Sequence, residues 1–189
     1  MKWRLVGYNG MQWDEVENLW IIYFAPYTAS VFSHLTETMG TKLKAMLIGE
    51  YVHTLDDKKR VSLPAKFRRE VGKKVVITNG LDKCLFVYTM PQWEKLAEKL
   101  SELPLGRGDM RGFSRFMLSS AYEAEVDSLG RVLIPDSLKD FAELKSKIVI
   151  AGVYGRIEIW NEKLWSEYKA NIGKQADLLA EKLGEIGAI

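Results

Sequence analysis

Apolar and polar residues change period along this chain, and the changes mark its elements. Over 51–55, Tyr51, His53 and Leu55 alternate with Val52 and Thr54, the period of two expected of a half-buried strand. The pattern returns more cleanly at 122–126, with Tyr122, Ala124 and Val126 on one face and Glu123 and Glu125 on the other. Each strand passes through four polar or small residues, 56–59 or 127–130, into Arg60-Val61-Ser62-Leu63 or Arg131-Val132-Leu133-Ile134. That arrangement predicts a β-hairpin closed by a longer turn. Pro64 and Pro135 then end the strand and admit a short helix, burying Phe67 and Val71 in one case and Leu138, Phe141 and Ala142 in the other. A second pair of strands follows each helix, 75–78 with 84–88 and 148–151 with 156–160, and their turns hold Asn79-Gly80 or Gly152 and Gly155. A helix comes next. The first begins in a capping box, Thr89 with Gln92, and carries an apolar stripe of Trp93, Leu96, Ala97 and Leu100; the second begins at Asn161 and carries Trp165, Tyr168 and Ile172.

The two halves are therefore copies of one unit. At an offset of 71, Tyr51/Tyr122, Asp56/Asp127, Arg60/Arg131, Val61/Val132 and Pro64/Pro135 are identical, giving a doubled D-x-x-x-R-V-x-x-P. A repeated supersecondary unit decides architecture before any single element does. Half a chain of this length buries too little surface to stand alone. The expectation is one α+β, β-rich domain of tandem, pseudo-two-fold repeats whose hairpins interlock, with helices outside and sheet edges that invite self-association. Its parts are a first repeat over 46–103, a connector over 104–118, a second repeat over 119–172 and a helical tail over 173–189. The connector reads as helical, with Phe113, Phe116 and Met117 inward and Arg107, Arg111 and Arg115 along a solvated edge. The tail reads as a short amphipathic helix that packs or frays.

Residues 1–45 stand apart. Their apolar run, 19–32, is fourteen residues long and interrupted by Pro26 and Thr28, short of the roughly 20 that a membrane-spanning helix needs. Acidic Asp14, Glu15 and Glu17 precede it, where a signal peptide would be basic. The expectation is a non-native extension, with Met46 as the true start.

Composition narrows the function. The chain has 189 residues, 47% of them hydrophobic and 28% charged, as in an ordinary soluble protein. One cysteine, Cys84, allows no internal disulfide, and two histidines supply no zinc cluster. A reducing, cytoplasmic setting fits best. Cys84 is expected to be a buried structural thiol, His53 a satisfied strand residue, and Trp93 and Trp165 core anchors. Nothing supplies a Ser-His-Asp set, a phosphate loop or a metal site, so no enzyme and no cofactor are expected. Although the net charge is only +2, residues 57–74 carry eight bases against Asp57 and Glu70, a local +6 that leaves −4 elsewhere. Such segregation is what an anionic partner reads.

The bases sit where a hairpin would thrust them outward. Lys58, Lys59 and Arg60 follow one another at the first turn, with Lys66, Arg68 and Arg69 on the helix after it. Guanidinium pairs bidentately with guanine O6 and N7 while lysine holds phosphates, so Arg60 is assigned to base reading and the others to positioning on double-stranded DNA. For Asp56, Asp127 and Arg131 a second role stands equally: Asp and Arg four apart could bridge each turn, a surface pair worth about 0–1 kcal/mol. The second turn holds Ser128, Leu129 and Gly130 in place of extra cations, as suits a structural or oligomer-facing hairpin. Lys59 stands where Gly130 stands in the other copy, so its turn is either strained by about 1 kcal/mol or of another type. The rival class is a scaffold that regulates by binding protein. RNA is disfavoured because no aromatic platforms lie among the bases.

The stretches MLIGEYVHTLDDKKRVSLPAKFR and SSAYEAEVDSLGRVLIPDSL, with LFVYTMPQWEKL and IEIWNEKLW, resemble the MraZ family of bacterial transcriptional regulators. The resemblance covers Met46 to about Tyr168, and the doubled motif makes it specific. It implies a swapped-hairpin β-barrel like that of AbrB-type DNA binders, a ring-shaped homo-oligomer on the nucleoid, and repression of the division and cell-wall operon from direct repeats in its promoter. Carried over residue by residue, the motif falls on Asp56 and Arg60 and on Asp127 and Arg131. Lys59 departs from the family's glycine.

Overall fold

The computed structural model describes residues 46–188; the readings made on 1–45, the apolar run and the non-native extension, lie outside them. The fold is mixed α+β and strand-rich. In chain order come β1 (Leu47–Thr54), β2 (Arg60–Ser62), α1 (Ala65–Val71), β3 (Lys74–Asn79), β4 (Leu85–Thr89), α2 (Met90–Ser101) and α3 (Gly108–Leu118). The second half supplies β5 (Tyr122–Glu125), β6 (Arg131–Leu133), α4 (Asp136–Phe141), β7 (Lys147–Tyr154), β8 (Ile157–Asn161) and α5 (Glu162–Glu185). No helix among the described residues is long and apolar enough to cross a membrane.

The strands form an antiparallel sheet in the order β1-β7-β8-β4-β3-β5 and a separate two-stranded ribbon, β2-β6. Its pairing exchanges the halves. The first strand of copy one pairs with β7 of copy two, Tyr51 opposite Ile150, and the first strand of copy two pairs with β3 of copy one, Tyr122 opposite Ile77. At the centre of the sheet Phe86 faces Glu158, and at the centre of the ribbon Val61 faces Val132. Both are pairs of equivalent positions, Val61 and Val132 at the offset of 71 and Phe86 and Glu158 at the 72 that the register sets in this part of the repeat, so the pseudo-two-fold passes through both. The halves thus exchange strands, with β1 and β2 in different sheets and linked through the Leu55–Val61 bridge, while the hydrogen bonds leave β1 and β5 as sheet edges and close no barrel among the described residues.

Strands with both faces covered read as continuous apolar runs, and the two faces here have separate cores. One holds Val75, Ile77, Leu85, Val87, Ile148, Ile150, Ile157 and Ile159 beneath the ribbon's Val61 and Val132 and the short helices' Phe67 and Leu138. The other sets Phe86, Val149 and Trp160 against Leu100 of α2 and Met117 of α3, with Trp165 and Tyr168 of α5 at its margin. Cys84 lies in this second core, its Sγ donating to the Leu81 carbonyl, and burial pushes the thiol far up. On the axis the repeat is broken for packing. Glu158 is buried but accepts from Arg156 Nε and from Trp160 Nε1 at 2.9 and 3.0 Å, and the Arg156 guanidinium lies 4.4 Å from the centre of the Phe86 ring.

Helix boundaries follow local chemistry. Gln92 accepts from Thr89 N in the capping box that opens α2, and the Asn161 side chain accepts from Lys163 N at the start of α5. Two expectations change. Phe113 is exposed and stacks on Phe116, leaving Met117 as the buried anchor of α3. The tail is no separate short helix, because α5 runs unbroken through Gly173; a glycine costs only about 1 kcal/mol inside a helix. At Gly152 the exchanged strands pack closely: a Cβ there would lie 2.7 Å from the Leu47 backbone and from Phe67.

Phe67 is fully buried under the ribbon and meets Tyr51 edge-on, with ring centres 5.3 Å apart. Phe67→Ala is expected to lower the free energy of unfolding by about 3–5 kcal/mol, read from urea denaturation followed by circular dichroism.

Candidate nucleic-acid interface

Val61 and Val132 point inward and are wholly buried, so their neighbours on β2 and β6 must point outward. The ribbon therefore presents Arg60, Ser62, Arg131 and Leu133 on one face. Its register sets Arg60 beside Leu133 and Ser62 beside Arg131, which places the two arginines on a diagonal about the pseudo-axis.

Each arginine is held by the aspartate four residues before it. Asp56 Oδ1 accepts from the backbone N of Lys58 and of Arg60, at 2.9 and 2.8 Å, while Oδ2 accepts from Arg60 Nε and a terminal nitrogen, both at 2.8 Å. Asp127 does the same: Leu129 N and Arg131 N at 2.9 Å, Arg131 Nε at 2.8 Å and its terminal nitrogen at 2.7 Å. The spacing is a requirement of the turn, since only a carboxylate at its first position can reach both backbone donors and the returning side chain. Hydrogen bonding to the Arg60 backbone leads in holding Asp56 below the usual carboxylate range, and the Arg131 side chain leads at Asp127. The bridging role weighed for these residues is what the geometry shows. It also fixes two guanidinium groups on the outward face, each with one edge engaged.

The turns share one backbone course. Asp56 N donates to Arg60 O and Asp127 N to Arg131 O, and the residue before each arginine takes a positive φ, 59° at Lys59 and 75° at Gly130. Each of those residues also accepts from the other half, Lys59 O from Ile134 N and Gly130 O from Leu63 N, both at 2.9 Å. Lys59 thus adopts the glycine geometry rather than another turn, at a cost of about 1–2 kcal/mol. Its surroundings allow this: the ammonium reaches Asp136 Oδ2 of α4 at 2.6 Å. Gly130 has no such room, because a Cβ there would strike the Arg68 side chain.

That contact reveals what sequence order concealed. Arg68 follows the first turn in the chain, yet it lies at the second, donating from Nε to Leu63 O at 2.7 Å and from a terminal nitrogen to Ser62 Oγ at 2.9 Å. Lys73 and Lys74 line the same groove of about 580 Å³ with Arg68, Asp127 and Ser128. Strand exchange carries the first copy's helix to the second copy's turn, so the second hairpin does have cations about it. Lys58, Lys59 and Arg60 remain at the first end, where α4 adds Asp136 and Lys139, whose charge acts on Asp136. Lys66 and Arg69 are exposed on α1, and Lys66 Nζ leans toward the Ile48 carbonyl. His53 is half-buried, and burial followed by the nearby Arg68 charge holds its imidazole below the usual value. Of the six predicted bases, Lys58, Lys59 and Arg60 therefore lie at one end of the ribbon and Arg68 at the other, with Lys66 and Arg69 exposed on α1, and Lys73, Lys74 and Lys139 are additions that linear reading did not assign.

A family model described as "MraZ protein, putative antitoxin-like" matches residues 46–116 and again 117–182. The chain belongs to the MraZ family. Each match holds one copy of the doubled motif, Asp56 to Pro64 in the first and Asp127 to Pro135 in the second. Similar proteins of this family, each named "Transcriptional regulator MraZ", include that of Moorella thermoacetica, 49% identical over 138 residues, covering 73% of this chain and 96% of the relative. That of Caldicellulosiruptor saccharolyticus is 48% identical over 142 residues, covering 75% and 99%. That of Caldanaerobacter subterraneus subsp. tengcongensis is 47% identical over 138 residues, covering 73% and 96%.

Two outcomes follow for this MraZ chain. Lys59→Gly should leave stability unchanged or raise it by up to about 1 kcal/mol, since strain is relieved and only a surface ion pair is lost. Gly130→Lys should lower it by more than about 2 kcal/mol through strain and displacement of Arg68; matched urea titrations decide. Because the Asp56 and Asp127 carboxyls are depressed in the folded state, their stabilisation is complete above about pH 4 and is lost as pH falls through their lowered values. Thermal melts of the double variant Asp56→Asn, Asp127→Asn should accordingly lie below those of the parent near pH 6 and converge with them toward pH 2.

Proposed function

We propose that this chain is a sequence-specific, DNA-binding transcriptional regulator that lays the β2-β6 ribbon into the major groove. The observation that carries the reading is the pair of aspartate-clamped arginines on the ribbon's outward face. A two-stranded ribbon fits the width of that groove. Clamping removes side-chain freedom before binding, so less entropy is lost on contact. With Nε and one terminal nitrogen of Arg60 turned to Asp56, the edge formed by its two terminal nitrogens is the one that can take guanine O6 and N7. Lys58, Lys59, Lys66, Arg68 and Arg69 supply phosphate contacts about it, and Asp56, Asp127 and Arg131 shape and share the reading face. The names of the relatives support a role in transcription.

The finer reading comes from the family resemblance: repression of the division and cell-wall gene cluster, through direct repeats in its promoter, by a ring of copies at the nucleoid in the cytoplasm. The strand exchange, with the Leu55–Val61 bridge joining sheet edge to ribbon, supports a swapped-hairpin arrangement of the AbrB type. The edge strands β1 and β5 support assembly, since unpaired edges are ready templates for a neighbour. A ring would set several weak ribbons on repeated sites and raise their effective concentration.

Mobility shift with the chain's own upstream DNA against a scrambled duplex tests this. Arg60→Ala should abolish selective retention while leaving the assembly mass unchanged by light scattering. Arg60→Lys, which keeps the charge but loses the fork, should cost more than about tenfold. Binding should weaken steeply with salt, and Lys58→Ala should reduce the log–log slope by about 1. Equal retention of scrambled DNA, or unaltered binding by Arg60→Ala, would refute the assignment.

A further inference from the structure

The two ends of the ribbon differ chemically. At the positions equivalent to Lys58 and Ser62 the second repeat has Leu129 and Leu133. Both are exposed, 58% and 45%, although leucine at a turn tip and on an outward strand face gains nothing from water. Each adjoins a clamped arginine. Leu133 is the cross-strand partner of Arg60, and Leu129, whose N donates to the same Asp127 that clamps Arg131, stands two residues before that arginine in the second turn.

Resting on the proposal that this ribbon enters the major groove, we infer that Leu133 and Leu129 are specificity-determining residues that read the C5-methyl groups of thymines beside the guanines met by Arg60 and Arg131. In the major groove only thymine offers an apolar group, and contact with that methyl is what apolar side chains recognise there. Cross-strand side chains in such a pair lie about 4.5–5.5 Å apart, against a rise of about 3.4 Å per base along a strand. A guanidinium and a leucine so placed address adjacent or next-adjacent base pairs. Protein interfaces are depleted in lysine at their core, whereas these leucines share their ribbon with Lys58 and Lys59. The surrounding charge favours DNA over a protein as the occupant.

The test uses the full chain and the segment of its own upstream DNA that it protects in footprinting, with thymines replaced one at a time by deoxyuridine, which removes the methyl and nothing else. Binding followed by fluorescence anisotropy should weaken about fourfold at one or two thymines within two base pairs of a guanine. Leu133→Ala should bind the thymine and deoxyuridine duplexes at the first such position equally, Leu129→Ala those at the second, and Leu133→Met should keep the discrimination. If the parent protein footprints but binds every deoxyuridine duplex as well as the original, the inference fails and the DNA-binding reading survives. If there is no footprint, both fall. If Leu133→Ala reduces the mass of the assembly by light scattering while the parent ignores the methyl groups, the leucine is a protein contact and the inference is overturned.

Discussion

Strand exchange is the constraint on which everything else rests. Neither repeat finishes its own sheet: among the described residues β1 pairs with β7 and β5 with β3, each in the opposite half. The apolar face of each first strand, Leu47 in one copy and Ala124 in the other, is therefore buried by the opposite half. The ribbon lies over the same core because Val61 and Val132 meet on the axis beneath it. Each half supplies what the other lacks, and the smaller unit is never called on to fold alone. The turns, the short helices and the outward arginines are all placed by that trade.

Within this frame the aspartate has a double task. Its carboxylate replaces the backbone partners that a four-residue turn leaves unsatisfied, and it holds the guanidinium at a set angle. An arginine carries about 2 kcal/mol of rotamer entropy when free, so a fixed fork has less to lose on contact with a partner than a mobile one. The lowered pKa of each carboxyl follows from the same contacts. The clamp's identity in both turns explains why Asp and Arg persist in the two copies while the residues between them diverge into Asp-Lys-Lys and Ser-Leu-Gly.

Much of this was readable from the chain. Periodicity located the strands, prolines marked the starts of α1 and α4, the capping box marked α2, and the doubled motif identified the repeat and its axis. Boundaries such as the far end of β7 were not readable, since they depend on the length of a partner strand that arrives from the other half. The layout of the cations was misjudged for the same reason. Arg68 is five residues past Leu63 in sequence, but exchange sends it to Gly130; an order along the chain carries no sign of that. The helical break expected at Gly173 was overestimated because α5 is anchored at its base by Trp165 and Tyr168 against Trp160.

The unequal ends of the ribbon have one more consequence. A perfectly two-fold ribbon laid along a double helix would sit equally well facing upstream or downstream. With lysines at one tip and a leucine at the other, the two headings differ in energy, and a single one is preferred. On the proposed reading, each copy would then take one heading on its own site, set by the chemical difference between the two tips.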